Sequence, residues 1–144
     1  MLNNYSRYLI FIFFLAFSVV ACEEDLPEDD GDIRTKLEGT WDVYENNTMN
    51  LNEFYTISID KSISDSTAIR INNFYNVHTT INAVVNELNF DVLTLTIPEQ
   101  NASSFTIQGG GSISSNRQSI QLSYTVNYNN GFTDEVTAIY SKHP

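Results

Sequence analysis

Ile120-Gln121-Leu122-Ser123-Tyr124-Thr125-Val126-Asn127-Tyr128 is the stretch that decides the fold class of this chain. Apolar and polar residues alternate one for one along it. A β-strand sends successive side chains to opposite faces, so the pattern makes one apolar and one polar face. Wound as a helix, the same residues would have no apolar side. Asn129-Asn130-Gly131 follows at once, and an Asn-Gly pair readily adopts the left-handed backbone of a tight hairpin. Val136, Ala138 and Tyr140 then repeat the alternation, which predicts an antiparallel partner for the first stretch.

The same period recurs upstream. Trp41 with Val43, then Tyr55, Ile57 and Ile59, then Ile69 and Ile71 each read as a strand, and Ala83 to Glu87 as a shorter one. Leu93, Leu95 and Ile97 form another, which Pro98 is expected to end because it has no amide proton for a ladder. Phe105 and Ile107 form the next. Gly109-Gly110-Gly111 follows it, before Ile113, and suggests a bulge or sharp bend. Ser115-Asn116-Arg117-Gln118 reads as a turn. Ahead of the strands, Asp32 to Gly39 reads as one or two helical turns, capped by Asp32 and ended by Gly39, with Ile33 and Leu37 on one face. The expected fold is all-β: a single antiparallel barrel or sandwich of about eight strands after a short N-terminal helical turn.

The first residues have a different character. Arg7 precedes an apolar run from Tyr8 to Val20, long enough for the core of a signal peptide and short for a membrane span. Glu23 to Asp32 reads EEDLPEDDGD, an extended and solvated segment. The expected organisation is a signal peptide over 1–21, a tether over 22–32 and a β domain over 33–144. An EF-hand reading of the acidic segment fails, because aligning Gly31 with the loop glycine puts Leu26 and Leu37 where oxygen ligands are required.

Val19-Val20-Ala21-Cys22 resembles the lipobox of bacterial lipoprotein signal peptides, with Val where Leu is commonest. The resemblance implies cleavage between Ala21 and Cys22 and a lipid anchor on Cys22, in the form of a diacylglyceryl thioether and usually an N-acyl chain such as palmitate. Two or more acyl chains would hold the protein firmly on a membrane. The acidic stretch behind the cysteine resembles surface-export signals of some Gram-negative lipoproteins. It implies a bacterial outer-membrane location with display at the cell surface. Further on, a helical turn running into Gly39-Thr40-Trp41 resembles the G-x-W signature of the lipocalin and calycin superfamily, in which the Trp opens the first strand and closes one barrel end. That family usually pairs the Trp with an Arg near the last strand, and this chain has only Lys142 there. Thr133-Asp134 is similar to a second lipocalin motif, with Glu135 replacing the usual Tyr.

Net charge is −11. Nucleic acid is excluded as a partner, because phosphate recognition needs clustered Lys and Arg. Only His78 and His143 are present, and the chain's one Cys is Cys22, too few ligands for zinc. The surroundings of Ser112 are not a nucleophile elbow. The triple glycine is followed by neither a Lys nor a helix, which argues against a phosphate cradle. Asp134 and Glu135 are adjacent on a strand and point to opposite faces. Asp91 and Glu99 bracket a strand, too far apart to pair within it. Phe54-Tyr55 and Phe74-Tyr75 are each expected to place one aromatic on either sheet face.

The expected function is therefore non-catalytic and without a cofactor. It is a membrane-anchored extracytoplasmic binding module for a small apolar or glycan ligand or for a protein partner. The alternative is a structural or accessory subunit of a cell-envelope complex. An emptied barrel interior would favour the former. A filled core with an exposed aromatic edge would favour the latter, and buried convergent carboxylates would favour an enzyme.

Overall fold

The computed structural model describes residues 31–48, 51–89 and 92–144. Ala21, Cys22 and most of the acidic segment lie outside them, as do Phe90 and Asp91. A 3₁₀ turn spans Ile33–Leu37. The strands follow as β1 (Gly39–Asn46), β2 (Asn52–Lys61), β3 (Ala68–Phe74), β4 (Thr79–Asn89), β5 (Val92–Ala102), β6 (Phe105–Ile113), β7 (Ser119–Tyr128) and β8 (Thr133–Lys142). Each strand pairs antiparallel with its neighbour in sequence, and β8 returns to pair with β1, so the sheet closes into an eight-stranded barrel. Closure leaves no strand edge exposed. The architecture is all-β and consistent with a lipocalin-like fold.

The alternation in sequence becomes the inside and outside of this barrel. Trp41 and Val43, Ile57 and Ile59, Ile69 and Ile71, Ile120 and Leu122, and Ala138 and Tyr140 all point inward and are buried. Burying each large aliphatic side chain contributes roughly 1.5–3 kcal/mol. Trp41, Phe74, Tyr124 and Tyr140 are among the bulkiest groups of this interior, which is packed with side chains.

The 3₁₀ turn closes one end. Asp32 caps it by accepting from the Arg34 amide. Leu37 is fully buried, and the Trp41 indole N–H donates to its carbonyl at 2.9 Å. The Arg34 guanidinium bonds the carbonyls of Asp65 and Ala68, tying the turn to the β2–β3 connection. Lys142 places its Nζ 5.8 Å from the centre of the Trp41 ring and donates to the Lys36 carbonyl. A lysine thus stands over the tryptophan where the family resemblance calls for an arginine.

Three expectations need correction. Pro98 does not end β5, which continues to Ala102 through a register shift between Ile97 and Gln100. Pro98 cannot donate to β4, and the Gln100 amide takes over by accepting from the Asn82 N–H at 2.9 Å and donating to the Asn82 carbonyl at 2.7 Å. Gly109-Gly110-Gly111 is no bulge either, because β6 pairs with β7 without interruption. These glycines permit close approach: a Cβ on Gly111 would sit on the Gln121 carbonyl. Phe74 and Tyr75 do not split across the sheet. A left-handed backbone at Asn73 and Tyr75 turns both rings toward the core. At the C-terminal end the His143 N–H donates to the Thr40 carbonyl and its Nδ1 lies 3.0 Å from Asp42 Oδ2.

Candidate functional site

The end opposite the 3₁₀ turn is the open mouth, ringed by the β1–β2, β3–β4, β5–β6 and β7–β8 connections. A pocket of about 360 Å³ sits there, lined by residues that include Glu53, Tyr75, Tyr128, Phe132 and Asp134. Its shape follows from two connections. In the β7–β8 hairpin, Gly131 takes a positive φ of 84° and Tyr128 N–H bonds the Phe132 carbonyl, which brings Phe132 beside Tyr128. In the β3–β4 connection Asn73, Tyr75, Asn76 and His78 are all left-handed. Such a backbone costs roughly 1–2 kcal/mol per residue outside glycine, less for Asn. The Asn73 side chain holds it, donating to the Thr56 carbonyl at 2.8 Å and accepting from the His78 N–H at 3.0 Å. The strained segment delivers Tyr75 into the mouth, where its ring meets Phe105 edge-on at 5.9 Å and Tyr124 at 6.3 Å.

Asp134 forms the polar wall. Only 1 % of it is exposed. The Tyr75 hydroxyl donates to Oδ2 at 2.6 Å and the Thr48 N–H to Oδ1 at 2.9 Å. Tyr128 in turn donates to the Tyr75 hydroxyl at 3.0 Å. Burial and the Asp134 hydrogen bond push the Tyr75 phenol far above its usual range, so it stays protonated and remains a donor.

Glu45 follows Trp41 and Val43 on the inward row of β1 and is 3 % exposed. The Tyr55 hydroxyl donates to its Oε2 at 2.9 Å. Its Oε1 has no hydrogen-bond partner, and neither do the buried hydroxyls of Tyr124 and Tyr140. Burial raises the Glu45 pKa to about 7, and the charges of Glu53 and Asp134 add to the rise while the Tyr55 hydrogen bond opposes it. Two inward carboxyl groups therefore sense one another at this end of the barrel.

The outer wall carries a second feature. Register pairs Tyr44 with Phe54 on one side and with Ile139 on the other. The three form an apolar row across β2, β1 and β8, exposed by 76 % at Phe54, 37 % at Tyr44 and 45 % at Ile139. A groove of about 600 Å³ continues from Tyr44 and Ile139 over Gly110, Gly111 and Ser112.

Among the residues singled out from sequence, Gly39 opens β1 and Trp41 lies at the closed end, so neither touches the mouth. Glu99 is exposed on β5, and His78 is exposed in the β3–β4 connection. Asp134 and Glu135 do point to opposite faces, as expected, and Asp134 is the one turned inward. Glu45 was missed. Its signal was its phase, an acid at an inward position of an apolar row. Protein-family models and curated proteins were both compared with this chain, and neither comparison finds a match.

Proposed function

We propose that this chain is a lipid-anchored extracytoplasmic binding module of lipocalin-like type, without catalytic activity, and that its ligand site is the mouth of the barrel. The observation that carries the reading is the mouth pocket itself, where three aromatic rings and a buried, hydrogen-bonded carboxylate meet on a strained connection. Strain of this kind persists where the surrounding structure enforces it, and it concentrates at binding sites. The packed interior turns the expectation away from a large apolar ligand swallowed into the barrel. What the mouth accommodates is a head group or side chain. Glu45 and Asp134 do not amount to acid–base machinery: Glu45 is 3 % exposed and Asp134 1 %, and no nucleophile is hydrogen-bonded to either.

Two experiments test this. Cys22→Ser should release the protein from the membrane fraction of a bacterial host, and retention of the variant there would sink the anchor. Native mass spectrometry of residues 31–144 after exposure to envelope extract should show a small mass that denaturation removes.

One observation favours a second reading, an accessory subunit of an envelope complex. The Phe54–Tyr44–Ile139 row is an exposed apolar strip beside a groove, the kind of surface that marks protein contacts. A polypeptide retained in the same mass spectra, and lost on Phe54→Ser, would decide for it.

A further inference from the structure

We propose that the mouth takes a small organic cation, a protonated alkylamine, quaternary ammonium or guanidinium group, held between the Tyr75, Tyr128 and Phe132 rings and the Asp134 and Glu53 carboxylates. The assignment rests on the mouth being a binding site and names the chemistry it selects.

Charge is the first argument. The pocket lining contains two acids and no Lys, Arg or His. Asp134 is buried, yet its hydrogen-bond donors are neutral, a backbone N–H and a phenol. A carboxylate taken out of water ordinarily finds a cation. Among the described residues the chain's cations lie elsewhere: Arg34 and Lys36 in the 3₁₀ turn, Lys61 and Lys142 at strand ends beside it, and Arg117 in the β6–β7 connection. Arg70 stands on β3 between inward-facing Ile69 and Ile71, and so faces out. His78, in the β3–β4 connection, is exposed.

The second argument comes from Glu45, which is not part of the pocket lining. Glu45 Oε1 is a buried carboxyl oxygen with no hydrogen-bond partner. Its carboxyl senses both pocket acids, Glu53 and Asp134, and among the described residues it accepts from the Tyr55 phenol and senses the Tyr140 phenol. A positive group in the mouth would offset three converging acids at once. The third argument is the rings. Aromatic faces attract ammonium and guanidinium groups, and the Tyr128 and Phe132 rings lie 5.7 Å apart at the rim. The pocket, of about 360 Å³, suits a head group.

The test is an NMR titration of residues 31–144, a unit whose barrel closes on itself. Probes are n-butylammonium, tetramethylammonium and n-butylguanidinium, with n-butanol and butyrate as neutral and anionic controls. The cations should shift the amides of Thr48, Asn76 and Phe132 with saturation, while the controls leave them in place. Glu53→Gln, at an exposed position that should not disturb folding, is expected to weaken binding about threefold or more, and Asp134→Asn about tenfold. Capped lysine and arginine amides separate the two sources of the cation. Tighter binding than n-butylammonium points to a polypeptide side chain, and weaker binding to a free amine. Equal shifts from n-butanol and n-butylammonium would overturn the cation assignment while leaving the mouth a binding site. So would wild-type affinity in both variants. No mouth response to any probe also overturns it, whereas the binding-module reading fails separately, on bare protein in the envelope-extract spectra.

Discussion

Replacing Glu45 by Gln should stabilise the protein above neutral pH and change little in acid. Glu45 is nearly inaccessible, and the charges it senses are those of two other acids. Its pKa lies at about 7 in the fold against about 4.5 in an unfolded chain. Between those values the folded state keeps a proton that the unfolded chain has released. Stability is therefore fully present below about pH 4.5 and drains away as pH rises through about 7. The slope reaches about 1.4 kcal/mol per pH unit, and the gap amounts to roughly 3 kcal/mol once Glu45 is ionised. The amide of the variant would keep an acceptor for the Tyr55 hydroxyl and never ionise. Urea denaturation of residues 31–144, from roughly pH 5 to roughly pH 8.5, measures the difference directly. Most other titrating groups are common to both proteins and cancel in it. The two should differ little at the acid end and by roughly 3 kcal/mol at the alkaline end, or about 10 °C in Tm for a domain of this size. Parallel pH profiles, or a variant less stable in alkali, would refute the reasoning.

Other substitutions test the frame. Trp41→Phe should cost about 2–3 kcal/mol on denaturation, since it removes ring volume and leaves the buried Leu37 carbonyl without its donor. Gly111→Ala should cost more than about 3 kcal/mol, because the new methyl meets the Gln121 backbone, while Gly131→Ala, facing open space, should cost only about 1 kcal/mol for its positive φ. Gln100→Ala should cost about 1–2 kcal/mol and speed hydrogen exchange of the Asn82 amide, which would lose its acceptor.

The barrel was legible in the sequence because inward and outward residues alternate along every strand, and Ile120 to Tyr128 shows the rule without a break. Strand ends were less legible. Pro98 reads locally as a stop, and only the pairing with β4 reveals that Gln100 replaces its missing donor. The Phe74-Tyr75 error has a similar origin. Alternation assumes extended backbone, and the left-handed residues around Tyr75 break the count by a local conformation that Asn73 holds through contacts with β2. Closure was less legible than the strands, because the pairing of Trp41 with Lys142 joins residues at opposite ends of the domain's sequence. The site lay half in view. Asp134 was read onto one face, Tyr75 was singled out with Phe74, and Tyr128 closed the opening strand. That one tyrosine would donate to the aspartate depends on joining β8 to the β3–β4 connection across the barrel.

The two ends of the barrel answer to different demands. At the closed end the Trp41 indole bonds Leu37, Arg34 ties the turn to β2–β3 and Lys142 covers Trp41, and the exception is Arg117, left-handed and with a buried Nε that has no hydrogen-bond partner. At the mouth the same chain keeps five left-handed residues outside glycine, a buried aspartate whose donors among the described residues are neutral, and a glutamate whose ionisation opposes folding by roughly 3 kcal/mol. A leucine following Trp41 and Val43 on the inward row would remove that last cost, and an Asn-Gly turn would relieve much of the β3–β4 strain. Local rules are broken once at the closed end, at Arg117, and several times at the mouth, where most of the breaks surround one pocket. A gathering of breaks around one pocket supports the proposed binding site. The charge they share gives the Glu45→Gln profile a second use: a cation in the mouth should hold Glu45 ionised and flatten the wild-type profile toward that of the variant.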